Sequence, residues 1–273
     1  MFQEMLQNVR EKSPLIHNIT NYVTVNDCAN ILLACGGSPI MADDLAEVEE
    51  ITSICGGLNI NIGTLNHRTI PAMIAAGKRS NALGHPVVLD PVGAGASALR
   101  TDTARRLVEE VKFTVIRGNI SEIKALSGAS AATKGVDADL ADRVTEENLG
   151  EAVAFAKSFA KAAGAVTAIT GAIDVVTDGE TAYCIRNGRP EMSRITGTGC
   201  QLSALTAAFV TANPDQPLRA AAAAVCAMGL CGEIAWTRMT PADGNASYRN
   251  YILDAVYNLT LQQLEEGANY EVR

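Results

Sequence analysis

Five short apolar runs punctuate the first 171 residues, each ending on or beside glycine, asparagine or aspartate: 38–44 (SPIMADD), 58–64 (LNINIGT), 86–95 (PVVLDPVGAG), 113–119 (FTVIRGN) and 165–171 (AVTAITG). A strand covered on both faces needs no polar alternation, so these runs read as buried strands. Stretches of helical period lie around them, at 24–35, 45–54, 69–82, 101–111, 121–127 and 147–163. Such alternation builds a mostly parallel sheet with helices on both faces, an α/β fold. Residues 174–188 alternate about Asp178-Gly179 instead, which predicts a hairpin. Beyond Gly197 the pattern is helical, at 198–212, 218–237 and 247–266, which predicts a helical layer. No linker or repeat interrupts it, so residues 1–273 are expected to form a single domain, softest at 127–144.

Composition narrows the function classes. Apolar residues make up 48% and charged residues 19%, which excludes a disordered chain. A net charge of −8 argues against a broad nucleic-acid interface, although backbone amides can still build a local anion site. The irregularly spaced cysteines, with no CxxC pair, point to reduced thiols in a cytoplasmic protein. The opening MFQEMLQNVR has no apolar core, so no signal peptide is expected. Residues 195–214 are uncharged but broken by Thr, Gly, Gln and Ser, which predicts loop and buried helix rather than a membrane span. His17, His67 and His85 are scattered and offer no zinc set; His17 is expected to be structural and the others to lie in loops.

Ligands of open α/β sheets bind beyond the carboxyl ends of the strands. Polar residues gather at those ends here: Asp90 to Gly95, Arg117 to Glu122, Thr170-Gly171, and Thr196-Gly197-Thr198-Gly199-Cys200. Ordinary turns and caps account for any one of these. Together, with two acids, an arginine and a glycine-rich helix start, they suggest a site. TGTGC is the most informative. Gly197 and Gly199 allow a turn that leaves amides free at a helix N-terminus, where the dipole favours an anion; a plain N-cap turn is the alternative. Cys200 is expected at that terminus, where a thiol pKa falls. Asp43-Asp44 is expected to cap the helix at 45; Asp174 follows a strand and could touch a nucleotide, although a turn role is the stronger expectation. No GxxxxGK[ST] and no third fingerprint glycine occur, which argues against Walker-type and Rossmann-type nucleotide sites.

These segments join HNITN (17–21), SPIM (38–41), NIGTL (61–65), DPVGAGA (90–96), RGNISEI (117–123), ITG (169–171) and ITGTGC (195–200) in an order and spacing that resembles the hydroxyethylthiazole kinase family, within the ribokinase-like superfamily, over nearly the whole chain. The resemblance implies a three-layer α/β/α sandwich and phosphorylation of 4-methyl-5-(2-hydroxyethyl)thiazole by ATP with Mg²⁺. It also implies a homotrimer with substrate sites at subunit interfaces. Residue by residue, it implies that Met41, Asn21 and Gly197 bind the substrate and that Arg117 and Thr170 contact ATP. Asp90 and Glu122 would organise Mg²⁺, directly or through water. Cys200 stands where many relatives carry an aspartate base, and a thiol there suits a positioning or modest base role. Segment 243–255 departs from the family's more Gly/Pro-rich version. The chemistry is consistent with this arrangement, since phosphoryl transfer mainly needs alignment and neutralised charge, and Mg²⁺ takes one or two carboxylates. The alternatives are a kinase of the same fold acting on a hydroxymethylpyrimidine and a non-enzymatic nucleotide-binding protein. SPIM and TGTGC favour the thiazole; Asp90, Arg117, Glu122 and the glycine loop together favour an enzyme.

Overall fold

A computed structural model describes residues 2–128 and 143–273, so most of the 127–144 segment lies outside the described residues. The sheet order is β2-β1-β3-β4-β5-β6-β7-β8-β9. The strands β1 (Leu15–Ile19), β2 (Ser38–Met41), β3 (Gly57–Asn61), β4 (Val87–Asp90), β5 (Val115–Asn119) and β6 (Val166–Thr170) are parallel. The strands β7 (Asp174–Thr177), β8 (Ala182–Ile185) and β9 (Tyr270–Val272) extend the sheet antiparallel. The β7–β8 turn is closed by Asp178, whose Oδ1 accepts the amides of Glu180 and Thr181, and by Gly179 at φ +100°.

Side chains alternate between two cores, because successive strand residues point to opposite faces. Val88, Val115, Ala168 and Val176 belong to one core. Leu89, Ile116, Ile169 and Val175 belong to the other. The first core is covered by α1 (Phe2–Lys12), α2 (Val25–Cys35) and α8 to α11 (Thr198–Ala212, Pro217–Thr237, Asn245–Asn258, Leu261–Gly267). The second is covered by α3 to α7 (Val48–Ile54, Thr69–Leu83, Ala98–Glu110, Ile120–Ser127, Leu149–Ala163). The result is a three-layer α/β/α sandwich, as the family resemblance implies. By length and composition α9 is apolar enough to cross a membrane, but 78% of its most apolar window is buried in the fold.

Some boundaries differ from the sequence reading. The expected helix 247–266 is two helices, α10 and α11. Thr260 starts the second with a capping box, its hydroxyl accepting the Gln263 amide while Gln263 returns a bond to the Thr260 amide. The helix expected from residue 45 begins at Val48. Asp44 closes the turn before it rather than capping it, with Oδ1 accepting the Ala46 amide. The elements α1, β1 and β9 were not expected. β1 is central: it pairs with β2 on one side and β3 on the other. The order of connection therefore reverses at β1, and a crevice opens beyond the carboxyl ends of the strands there.

Candidate active site

The parallel strands deliver polar side chains to that edge. Asn21 follows β1, Asn61 ends β3, Asp90 ends β4, Arg117 lies on β5, and Thr170 ends β6. These five strands are adjacent in the sheet, and one hydrogen-bonded chain crosses them. Asn21 Nδ2 donates to Asn61 Oδ1 at 3.0 Å, and Asn61 Nδ2 donates to Asp90 Oδ2 at 2.8 Å. Arg117 Nη1 lies 3.4 Å from Asp90 Oδ1, and Arg117 Nη2 donates to Thr170 Oγ1 at 2.8 Å. From above, Ser203 of α8 donates to Asp90 Oδ2 at 2.8 Å. Asp90 is 0% exposed. Burial raises its pKa, and the nearby Glu122 charge adds to that, while Arg117, Ser203 and Asn61 oppose it.

Helix α8 begins at the centre of this chain. Its N-cap, Gly197, has φ +86°, and an added Cβ would overlap the Thr24 methyl group. A side chain there is refused by backbone and space alike. The cap has no side chain, so the first-turn amides of Thr198, Gly199 and Cys200 receive no side-chain cap. Gly199 lies directly against Arg117: an added Cβ would sit 2.7 Å from both Nη atoms. The helix start thus presents amides, a dipole and a guanidinium to the same place, an arrangement suited to an anion.

The two sides of this helix start differ. Thr198, Gly199 and Leu202 line a cleft of about 620 Å³ together with Arg117, Thr170, Arg143 and Arg189. Cys200 faces the other way, where Asn21 Nδ2 donates to its Sγ at 3.2 Å. Thr24 holds Asn21 from behind, its hydroxyl donating to Oδ1 at 3.1 Å. Met41 is half-buried at the end of the edge strand β2, whose Asn18 register partner belongs to the same HNITN segment as Asn21.

Glu122 caps α6. Its Oε2 accepts the Asn119 amide at 2.8 Å, Asn119 Oδ1 accepts the Glu122 amide, and Oε1 accepts the Gly93 amide at 2.8 Å from the DPVGAG loop. The carboxylate thereby ties two loops together, and each oxygen keeps a lone pair. Asp90 has its oxygens turned toward Asn61, Ser203 and Arg117 and presents none to solvent. Among the described residues no group of three or more His, Cys, Asp or Glu forms a metal cluster.

One expectation is reversed. Cys200 was expected to be acidified by the helix terminus. Its pKa is raised, first by burial and then by the Asp90 carboxylate, while hydrogen bonds from Thr24 and Asn21 only partly offset this. His17 is structural. Its Nε2 donates to the Ala42 carbonyl at 2.8 Å, which leaves Nδ1 to accept from Thr52 at 3.0 Å. Asp174 closes a turn, as expected, and also lines the cleft, where the alternative reading put it. Asn61, Ser203 and Thr24 were not singled out. Their signals were present: two asparagines in a buried apolar strand, and a serine one helical turn from Cys200.

The fold is shared with kinases of small molecules. A pyridoxal kinase from Staphylococcus aureus, solved with AMP-PCP and pyridoxal, superposes with TM-score 0.60 at 16% identity, over 95% of this chain and 98% of that one, a likeness of fold alone. The match to hydroxyethylthiazole kinases is of another order. The model of the hydroxyethylthiazole kinase family matches residues 6–262. A hydroxyethylthiazole kinase from Clostridium acetobutylicum is 65% identical over 271 residues, 99% of each chain. The hydroxyethylthiazole kinase structure from Pyrococcus horikoshii OT3 gives TM-score 0.89 at 35% identity, covering 100% of this chain and 98% of that one. The chain belongs to the hydroxyethylthiazole kinase family.

The raised Cys200 pKa has a direct consequence. Iodoacetamide labelling of Cys200, followed by mass spectrometry against pH, is expected to rise at a higher pH than labelling of an exposed free thiol. A labelling plateau already reached below about pH 8 would show that the helix terminus prevails after all.

Proposed function

We propose that the protein phosphorylates the hydroxyl of 4-methyl-5-(2-hydroxyethyl)thiazole with ATP, giving the phosphate that thiamine phosphate synthesis consumes. The observation that carries this reading is the two-sided start of α8, with a basic cleft on one side and the Asn21–Cys200 pair on the other. In this reading ATP occupies the cleft, with Arg117 and Thr170 against its phosphates and the 198–200 amides around the terminal phosphoryl group. The thiazole occupies the crevice beyond β1, against Met41, Asn21 and Gly197. The hydroxyl oxygen then forms a bond to the terminal phosphorus as the bond to the ADP oxygen breaks. In a loose transition state the hydroxyl proton leaves late, after the O–P bond has begun to form, and passes through a transferred phosphoryl oxygen to water. A Cys200 thiol that keeps its proton at neutral pH therefore serves chiefly to orient the hydroxyl. One kinase domain spans 1–273, consistent with a single nine-stranded sheet among the described residues.

The residues fit a magnesium ion through Glu122, which is half-buried and has a lone pair left on each oxygen. We assign it as the carboxylate that holds Mg²⁺ through water, with buried Asp90 adding negative charge to the same region. The ion would neutralise phosphate charge. A hydroxymethylpyrimidine kinase is the competing reading. ADP release measured with the thiazole alcohol and with the pyrimidine alcohol separates the two: we expect Mg²⁺-dependent release with the thiazole and little with the pyrimidine. In the same assay Glu122→Gln should lower kcat far more than it weakens thiazole binding. Equal turnover of the pyrimidine would overturn the substrate, and an unchanged Glu122→Gln kcat at limiting Mg²⁺ would overturn the metal assignment.

We further propose a homotrimer in the cytoplasm. Seven unpaired thiols suit a reducing compartment. Tyr22 and Val23, directly after Asn21, are 78% and 56% exposed, and Leu45, just after β2, is 52% exposed. Large apolar side chains clustered around a binding crevice favour cover by a second copy of the chain. Light scattering should give about 86 kDa, three times the 28.6 kDa chain. A fully active monomer would contradict the shared site.

A further inference from the structure

The cleft continues well past the phosphate-binding end. From Arg117, Thr170 and Gly199 it runs along Gly171, Ala172 and Asp174 to a wall formed by Val225, Met228 and Gly229 of α9. That wall is apolar and closely built, because a Cβ on Gly229 would strike the Asn187 backbone at 2.6 Å. An apolar wall suits the face of a nucleobase, whereas the opposite end suits phosphates. Asp174 lines the same cleft as Arg117 on one side and Val225 and Met228 of α9 on the other.

The Asp174 carboxylate is only half used. Oδ1 accepts the Gly171 amide at 2.8 Å and closes the β6–β7 loop. Among the described residues the second oxygen has no donor, although the side chain lines the cleft. Burial lifts the Asp174 pKa to about 7, against the pull of the Gly171 amide and of Arg117. The second oxygen, left without a protein donor and facing the cleft, is placed to accept an incoming N–H or O–H.

We infer that Asp174 accepts a hydrogen bond from the nucleoside half of the bound nucleotide, a ribose hydroxyl or the base amine, and so helps select ATP. This rests on the reading of the cleft as the ATP site. A donor-recognising acceptor penalises an analogue that lacks the donor, because bound nucleotide then covers the half-buried oxygen without pairing it.

The test compares kcat/KM for ATP, 2′-deoxyATP, 3′-deoxyATP and ITP in the wild type and in Asp174→Asn. Asparagine keeps an oxygen for the Gly171 amide but replaces the free acceptor by an amide NH2 donor, so the loop should hold and the thermal midpoint should stay close to that of the wild type. In the wild type one analogue should lose about tenfold or more, a deoxynucleotide if the donor is a ribose hydroxyl and ITP if it is the base amine. Asp174→Asn should raise the KM for ATP by a similar factor and abolish the discrimination against that analogue. Asp174→Ser, which retains a smaller acceptor, should recover part of it. A wild type that accepts all four nucleotides equally, or an Asp174→Asn variant that discriminates as the wild type does, overturns the inference. Failure of the wild type to use ATP at all would instead overturn the reading of the cleft.

Discussion

A buried carboxylate at the end of β4 holds the site together. Asp90 is closed off from water, and isolating a charge in that way is costly unless it is paired and hydrogen-bonded. Its partners come from three other elements: Asn61 from β3, Arg117 from β5 and Ser203 from α8. Each partner leads to a functional feature. Asn61 fixes Asn21, which reaches Cys200. Arg117 bonds Thr170 and underlies Gly199. Ser203 docks the start of α8 onto the sheet. Burial first, and then the same charge that orders these groups, raise the Cys200 pKa.

Topology explains why such an assembly stands at this edge. Parallel strands place all their carboxyl ends on one side, and the order reverses at β1, so a crevice opens beside Asn21. Helices on both faces are required by a sheet whose residues are apolar on either side. α8 is buried nearly all round, so its start is held firmly over the strand ends. Rigidity matters where catalysis consists mostly of alignment. The glycines at 197 and 199 give the site its close contacts, against Thr24 and Arg117, which no larger residue would permit.

Much of this was legible in the chain. Residues 198–212 stand as one helix because a glycine turn precedes them and no breaker interrupts them. Four of the five strands read as buried are so, while β2, at the sheet edge, is half-buried along its length; the hairpin was visible as an alternation about Asp178-Gly179. β1 was hidden because HNITN mixes polar and apolar residues: its histidine and asparagine are buried with partners, which periodicity cannot reveal. The break at Thr260 rests on a capping box inside an otherwise helical pattern. The polarity of Cys200 was misread because the terminus acts locally through sequence position, whereas Asp90 is 110 residues away along the chain and adjacent only in the fold. Asn61 and Ser203 act through Asp90, so their roles appear only when the strands are side by side.

The central claim is that Asp90 and Arg117 work as a unit to hold the phosphate end of the site. A double-mutant cycle on kcat/KM for ATP, with Asp90→Asn, Arg117→Gln and the pair, tests it most directly. Residues that share one network couple strongly. The account predicts that the double variant is about as impaired as the worse single variant, leaving a coupling of about 1.4 kcal/mol or more, tenfold in rate. Effects that simply add, within about 0.3–0.5 kcal/mol, would show that the two residues act independently and would contradict it.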